Sequence, residues 1–175
     1  MTHPITSDIQ HASVVRRVQP GDMAELVRMC EEHARYERAH YDASGKEQAL
    51  VRALFVPTPL LHAWVATAGN RLIGYATAVA EFSTWTATQY LHMDCLFVRE
   101  LARNCGIGEA LLDTVIRFAR ASGCREVQWQ TPEWNVDACR FYGRKGAVGA
   151  GKMRFTLTVG RGRGLVAAVG PSVVP

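Results

Sequence analysis

Arg103-Asn104-Cys105-Gly106-Ile107-Gly108-Glu109-Ala110 stands between a nearly unbroken apolar run, residues 90–98, and an amphipathic stretch, residues 107–121. That junction decides the fold. The apolar run, interrupted by His92 and Asp94, reads as a central strand covered on both faces. The stretch after it puts Ile107, Leu111, Leu112, Val115, Phe118 and Ala119 on one helical face, and Ser122-Gly123 ends it. Val127, Trp129 and Thr131 then alternate with polar residues as a strand does. Strand, helix and strand in that order predict a parallel pair joined by a crossover helix. Gly106 and Gly108 let the backbone approach a ligand and aim successive N–H groups outward, and the helix N-terminus adds partial positive charge. Such a pocket suits a phosphate or pyrophosphate. No Gly-Lys-Ser/Thr follows, and the three-glycine dinucleotide fingerprint is absent.

Upstream, residues 61–66 and 72–80 read as strands, with Gly69-Asn70 as the turn of a hairpin. Val14-Val15-Arg16-Arg17-Val18 is a short first strand, broken by Pro20-Gly21. Asp22 and Glu25 make a capping-box-like helix start, and Met23, Leu26, Val27, Cys30 and Ala34 follow at helical spacing. A weaker helix covers about 46–55, ahead of Pro57 and Pro59. Downstream, Asn135 caps a helix that ends at Gly146, and 152–159 reads as a last strand. The order β-α-α-β-β-β-α-β-α-β predicts an α/β fold on a mixed sheet, mostly antiparallel. A flexible arm (1–12), one domain (13–159) and a Gly/Arg then apolar tail (160–175) complete the expected organisation.

The second informative segment is Asn135-Val136-Asp137-Ala138-Cys139-Arg140-Phe141-Tyr142-Gly143-Arg144-Lys145-Gly146-Ala147. By itself it is an ordinary amphipathic helix. Together with the first segment it gives strand, Arg-x-x-Gly-x-Gly, helix, strand, then Asn-x-x-Ala-x-x-Phe-Tyr-x-x-x-Gly-Ala. This arrangement resembles the Gcn5-related N-acetyltransferase superfamily. The stretches Ala34-Arg35-Tyr36-Glu37, Met93-Asp94-Cys95-Leu96-Phe97-Val98 and Glu133-Trp134-Asn135 are similar to its diamine (spermidine/spermine, thialysine) acetyltransferase branch. The likeness runs from about residue 14 to 155. It implies a parallel splayed pair of strands within the sheet, acetyl-CoA as acyl donor, and a homodimer.

It also implies roles. The loop Arg103, Asn104, Cys105, Gly106, Ile107, Gly108 and Glu109 holds the pyrophosphate of acetyl-CoA. The end of the central strand, Leu96, Phe97 and Val98, runs beside the donor. Asn135, with Ala138, supports the pantetheine arm, and Tyr142 stands near the thioester sulfur as general acid. Tyr36, Glu37 and Asp94 match positions that contact the amine. Three departures stand out: Asp94 replaces a longer Glu, Asn104 replaces the first glycine of the family loop, and no acid lies between Gly146 and Gly151.

The chemistry sets its own demands. A primary amine has a pKa near ~10.4 and arrives protonated, so something must accept a proton. Asp94 is the candidate base or relay anchor, Glu81 the fallback, and Glu37 the cation contact. A carboxylate in so apolar a strand requires a partner or a solvent channel. A backbone N–H at 96–98 suits the oxyanion. The leaving thiolate, conjugate pKa about 8.5, takes a proton from Tyr142, whose phenol sits near ~10. Trp85 and Trp129 are candidate walls of the acceptor pocket, where an aromatic face holds an ammonium.

Composition narrows the alternatives. The 175 residues are 48% hydrophobic and 21% charged, which argues against a wholly disordered chain. The formal charge is +4, but residues 1–150 hold 16 basic and 16 acidic groups. The whole excess is Lys152, Arg154, Arg161 and Arg163, so a nucleic-acid partner is not expected. No apolar run is long enough for a membrane span and no signal peptide is read, which predicts a cytoplasmic protein. Cys30, Cys95, Cys105, Cys124 and Cys139 are scattered, without a C-x-x-C pair or clustered histidines. They predict free thiols and no metal site. The reading is therefore an N-acetyltransferase for a small cationic amine, a diamine, polyamine or lysine analogue. Competing readings are an acetyltransferase for an antibiotic, amino acid or protein amine, and a non-catalytic acyl-CoA-binding module.

Overall fold

A computed structural model describes residues 13–159; the expected N-terminal arm and C-terminal tail lie outside them. The chain divides after Trp134 into two units. The first carries β1 (Ser13–Arg17), a 3-10 turn (Pro20–Asp22), α1 (Met23–Tyr36), α2 (Lys46–Leu54), β2 (His62–Ala68), β3 (Arg71–Ser83), β4 (Thr88–Val98), α3 (Ile107–Ala121) and β5 (Val127–Gln128). The five strands lie side by side in chain order. The pairings from β1 to β4 are antiparallel and β4–β5 is parallel. This is the mixed, mostly antiparallel sheet expected, with a parallel pair.

Alternation assigns the two faces. Val65, Tyr75 and Phe97 pack with Leu26, Met29 and Leu54 of α1 and α2. Their neighbours Trp64 and Gly74 point the other way, where Trp64 meets Phe118 and Gly74 lies against Leu111, both on α3. α3 buries Ile107, Leu111, Leu112, Val115 and Ala119, the stripe read from the sequence.

Asp22 and Glu25 differ from the sequence reading. Asp22 gives α1 no side-chain cap. Its carboxylate accepts the Gln19 N–H at 2.7 Å and two Arg16 bonds at 2.6 and 2.9 Å, so it fastens the 3-10 turn to β1. Glu25 pairs with Arg28 and Arg99. A guanidinium in reach outbids the capping geometry because the charged bond is the stronger one.

The second unit opens with α4 (Val136–Arg144), and Asn135 Oδ1 accepts the Ala138 N–H at 3.3 Å as its cap. Residues 152–159 form no strand, contrary to expectation. Their alternation is intact, but a strand exists only when paired, and no strand is described in this unit. Met153, Phe155, Leu157 and Val159 all stand exposed, at 80–87%.

Candidate active site

The parallel pair is short. β5 pairs with β4 only at Leu91 and His92, so it stops short of the expected 127–131. Two residues later, at Asp94, β4 carries a bulge. Thr77 faces Cys95 and Ala78 faces Met93, which leaves Asp94 without a partner on β3. A bulge twists its strand and re-aims side chains. From Met93 to Val98, β4 therefore has no strand on its outer side within the first unit. This edge is the splayed opening, and its backbone groups have no strand partner within the first unit.

Asp94 is exposed at this bulge. Among the described residues no Lys, Arg or His comes within ion-pair distance of its carboxylate; the Cys95 thiol donates to it at 3.7 Å. The solvent route, and not a buried partner, accommodates the charge. Below it lies a polar cluster on the α1 side. The Tyr75 hydroxyl meets the thiols of Cys30 and Cys95, and His33 Nδ1 lies 3.0 Å from it. Burial pushes the Cys95 thiol up to about 12, with the Asp94 charge adding to it, so at neutral pH it is no nucleophile. Burial likewise lifts Tyr41, beside Cys30, to about 12.

Glu37 sits just past α1 with His33 Nε2 3.5 Å from its carboxylate. The Tyr36 ring lies 4.6 Å beneath the Arg103 guanidinium and 6.0 Å from Trp134. The structure thus groups Tyr36 with the loop that follows β4. Glu81 accepts the Tyr90 hydroxyl across the β3–β4 hairpin. Trp85, at the hairpin tip, is 96% exposed. Trp129, just after β5, is half-buried. The Phe97 side chain is core, stacked on His33 at 5.0 Å, so only its backbone faces the opening.

The loop between β4 and α3 makes two left-handed turns. Asn104 at φ +60 and Gly106 at φ +79 both take the left-handed conformation just before α3. Asparagine is the non-glycine residue that best tolerates it, which explains how Asn104 stands where the family pattern has glycine. A Cβ on Gly106 would meet nothing within 4 Å, so the backbone angle is what requires glycine there. Cys105 turns inward, with its Sγ 3.4 Å from the Arg103 carbonyl. Arg103 Nε donates to the Val98 carbonyl at 3.0 Å, which fixes the guanidinium over the end of β4. Leu96, Val98, Ile107, Gly108 and Glu109 fall on the same strand end and first helical turn. Tyr142, in the second unit, lies on α4 with its ring 5.2 Å from that of Phe141.

Two supports of this region were missed in the sequence. Arg99 joins Glu25, Glu32 and the Leu72 carbonyl at 2.7–2.9 Å, tying the end of β4 to α1 and β3. Gly74 lets β3 approach: a Cβ there would come within 2.9 Å of the Phe97 carbonyl oxygen. A lone glycine inside an apolar strand was the available signal for the second. Nothing in the pattern around Arg99 marks it.

An acetyltransferase (GNAT) family model matches residues 22–147. The chain belongs to the GNAT acetyltransferase family. Within this family it is similar to the thialysine N-epsilon-acetyltransferase of Sus scrofa, 28% identical over 142 residues that cover 77% of this chain and 83% of that one. The enzyme of the same name in Caenorhabditis elegans is 26% identical over 125 residues, 71% of this chain and 76% of that one. In fold it matches an aminoglycoside acetyltransferase from an uncultured soil sample, TM-score 0.74 at 17% identity, covering 87% of this chain and 99% of the other. This GNAT chain is accordingly an N-acetyltransferase, and the loop, the left-handed Asn104 and Gly106, and the open β4 edge fit an acyl-CoA donor. No helix among the described residues is long and apolar enough to cross a membrane, and no group of His, Cys, Asp or Glu among them would hold a metal ion.

Proposed function

We propose that this acetyltransferase moves the acetyl group of acetyl-CoA to the primary amine of a small cationic acceptor, a diamine, polyamine or lysine analogue. The observation that carries the reading is the bulge at Asp94: an exposed carboxylate, with no ion-pair partner among the described residues, at the start of a strand edge left open by β5. A carboxylate so placed attracts an ammonium and accepts a proton from it through solvent. The names of the similar thialysine enzymes agree with an amine at the end of a short chain.

Acetyl-CoA supplies an activated thioester. The chain's own residues do the rest. Arg103 and the N–H groups of Asn104 to Glu109 hold the pyrophosphate. Backbone N–H groups at 96–98 face the acyl oxygen. Asp94 takes the amine proton, Glu37 contributes negative charge, and Tyr142 returns a proton to the leaving sulfur. Direct attack needs no acyl-enzyme, and the raised pKa of Cys95 agrees with that. The exposed row at 153–159 supports a homodimer that covers it.

Thiol release from acetyl-CoA, measured across polyamines, lysine analogues, aminoglycosides and peptides, tests the assignment. Turnover is expected with diamines or lysine analogues. Turnover with peptides alone overturns the small-amine reading, and none with any amine favours the non-catalytic alternative.

A further inference from the structure

The end of α1 is a left-handed helix stop: Ala39 N–H donates to the Ala34 carbonyl at 2.8 Å and Arg38 N–H to the Arg35 carbonyl at 3.1 Å. Arg38 takes the left-handed position of that stop, at φ +59. Glycine is the residue that fits there without strain, so the stop does not need an arginine. An arginine kept at such a position points to a use for its side chain. Its guanidinium lies 4.8 Å from the Trp134 ring centroid. Trp134 is 6.0 Å from Tyr36, and Tyr36 lies beneath Arg103, whose Nε the Val98 carbonyl holds. This column of two cations and two rings stands at the end of the open β4 edge that begins at Asp94.

Arg38 is also unmatched in charge. Arg28 pairs with Glu25, Arg35 with Glu31, and Arg99 with Glu25 and Glu32. Among the described residues no carboxylate comes within ion-pair distance of Arg38. Stacking occupies the face of a guanidinium and leaves its N–H edge, which suits a carboxylate. Glu37 precedes Arg38 in the chain, yet its carboxylate turns to His33 Nε2 at 3.5 Å. A phosphate dianion would meet a single cation next to that negative charge. A carboxylate on a molecule that carries its own ammonium groups does not face the same repulsion. A diamine or polyamine presents cations only, and nothing in it answers Arg38.

We propose that Arg38 sets acceptor specificity: its guanidinium takes the α-carboxylate of an amino acid whose side-chain amine receives the acetyl group. The proposal rests on the reading of the chain as an acetyltransferase for small amines, and it narrows that class from diamines and polyamines to zwitterionic α-amino acids with a terminal amine. Arg38 does not touch the reacting atoms. Its effect is on which acceptor is held, and so on KM for the acceptor.

The test is steady-state thiol release by the full chain with three pairs of acceptors. L-Lysine, L-ornithine and S-(2-aminoethyl)-L-cysteine are each compared with the diamine left when the carboxyl group is removed: cadaverine, putrescine and bis(2-aminoethyl) sulfide. Within a pair the amines and the chain are the same, and only the carboxylate differs. In at least one pair the amino acid is expected to exceed its diamine in kcat/KM by about tenfold or more, through KM. Arg38→Gly relieves the backbone and so is compatible with the fold. It should bring that ratio near one, and Arg38→Lys, which keeps the charge but not the fork, should fall between. Equal kcat/KM within every pair, with the diamines turned over, overturns the proposal and leaves the small-amine reading standing. An Arg38→Gly protein that keeps the parent's ratio also overturns it. If KM for acetyl-CoA rises in that variant while the ratio holds, a CoA phosphate and not an acceptor carboxylate is what Arg38 binds. No turnover of any of the six compounds defeats the small-amine reading, and the proposal falls with it.

Discussion

Asp94 and Tyr142 divide the proton work in this reading, and their substitutions should separate. Asp94→Asn keeps size and hydrogen bonding but cannot accept a proton, so kcat/KM should fall by about 10²-fold or more and its acid limb should move. An unchanged limb moves the base elsewhere, with Glu81 already engaged by Tyr90. Tyr142→Phe removes only the phenolic proton. Its kcat should fall by a comparable factor while KM for acetyl-CoA stays near the parent value, because the lost contact acts only as the sulfur departs. Equal turnover in steady-state assays across the pH range removes Tyr142 from the acid role. Asn104 is a conformational test of the loop. At φ +60 it tolerates Gly but not a β-branched residue. Asn104→Gly should leave KM for acetyl-CoA nearly unchanged. Asn104→Val should raise it and cost about 1–2 kcal/mol in stability by urea unfolding.

The strands and helices divide into those whose pattern is self-sufficient and those that depend on a distant partner. α3 spans Ile107–Ala121 as its apolar stripe reads, because helix bonds and stripe are both local. The hairpin at Gly69-Asn70 and the Asn135 cap are legible for the same reason. β5 is not: it shortens to Val127–Gln128 because the β4 bulge at Asp94 breaks the ladder, and a bulge follows from registry across strands. The packing of Tyr36 under Arg103, a contact over 67 positions of sequence, is not legible locally either. Asp22 shows the same competition in energetic terms. Arg16, then the Gln19 N–H, hold its carboxyl below the usual range. A depressed folded pKa gives stability that is complete above the unfolded value of about 3.9 and is lost as pH falls through the folded one. Asp22→Asn should therefore cost about 1–2 kcal/mol at pH 7. In urea unfolding the gap to the parent should narrow as pH falls below the unfolded value of about 3.9 and through the lower folded one. A gap that persists there would mean that the Arg16 contact is steric and not ionic.

Charge and apolar surface are distributed unevenly along the whole chain, and the two coincide. The first 150 residues balance 16 basic against 16 acidic groups. The surplus begins at Lys152 and Arg154, which with Thr156 and Thr158 alternate with Met153, Phe155, Leu157 and Val159. A polyanion-binding segment would present its cations on a polar background. Here the two cations share a segment with apolar residues at strand spacing, and all four of those stand exposed. Such a row, left in water, forfeits about 25 cal/mol for each Å² that a partner would cover, and it carries unpaired backbone groups besides. A second copy would supply both the cover and, by two-fold symmetry, an identical row to be covered. Light scattering is expected to report a homodimer for the parent chain. Phe155→Glu with Leu157→Glu places two carboxylates at the centre of the row, and the dimer should dissociate at concentrations where the parent stays paired. Neither residue carries chemistry, so thiol release per chain measured alongside tells whether association merely covers the row or also supports turnover. A variant as dimeric as its parent would show that the row lies outside the interface.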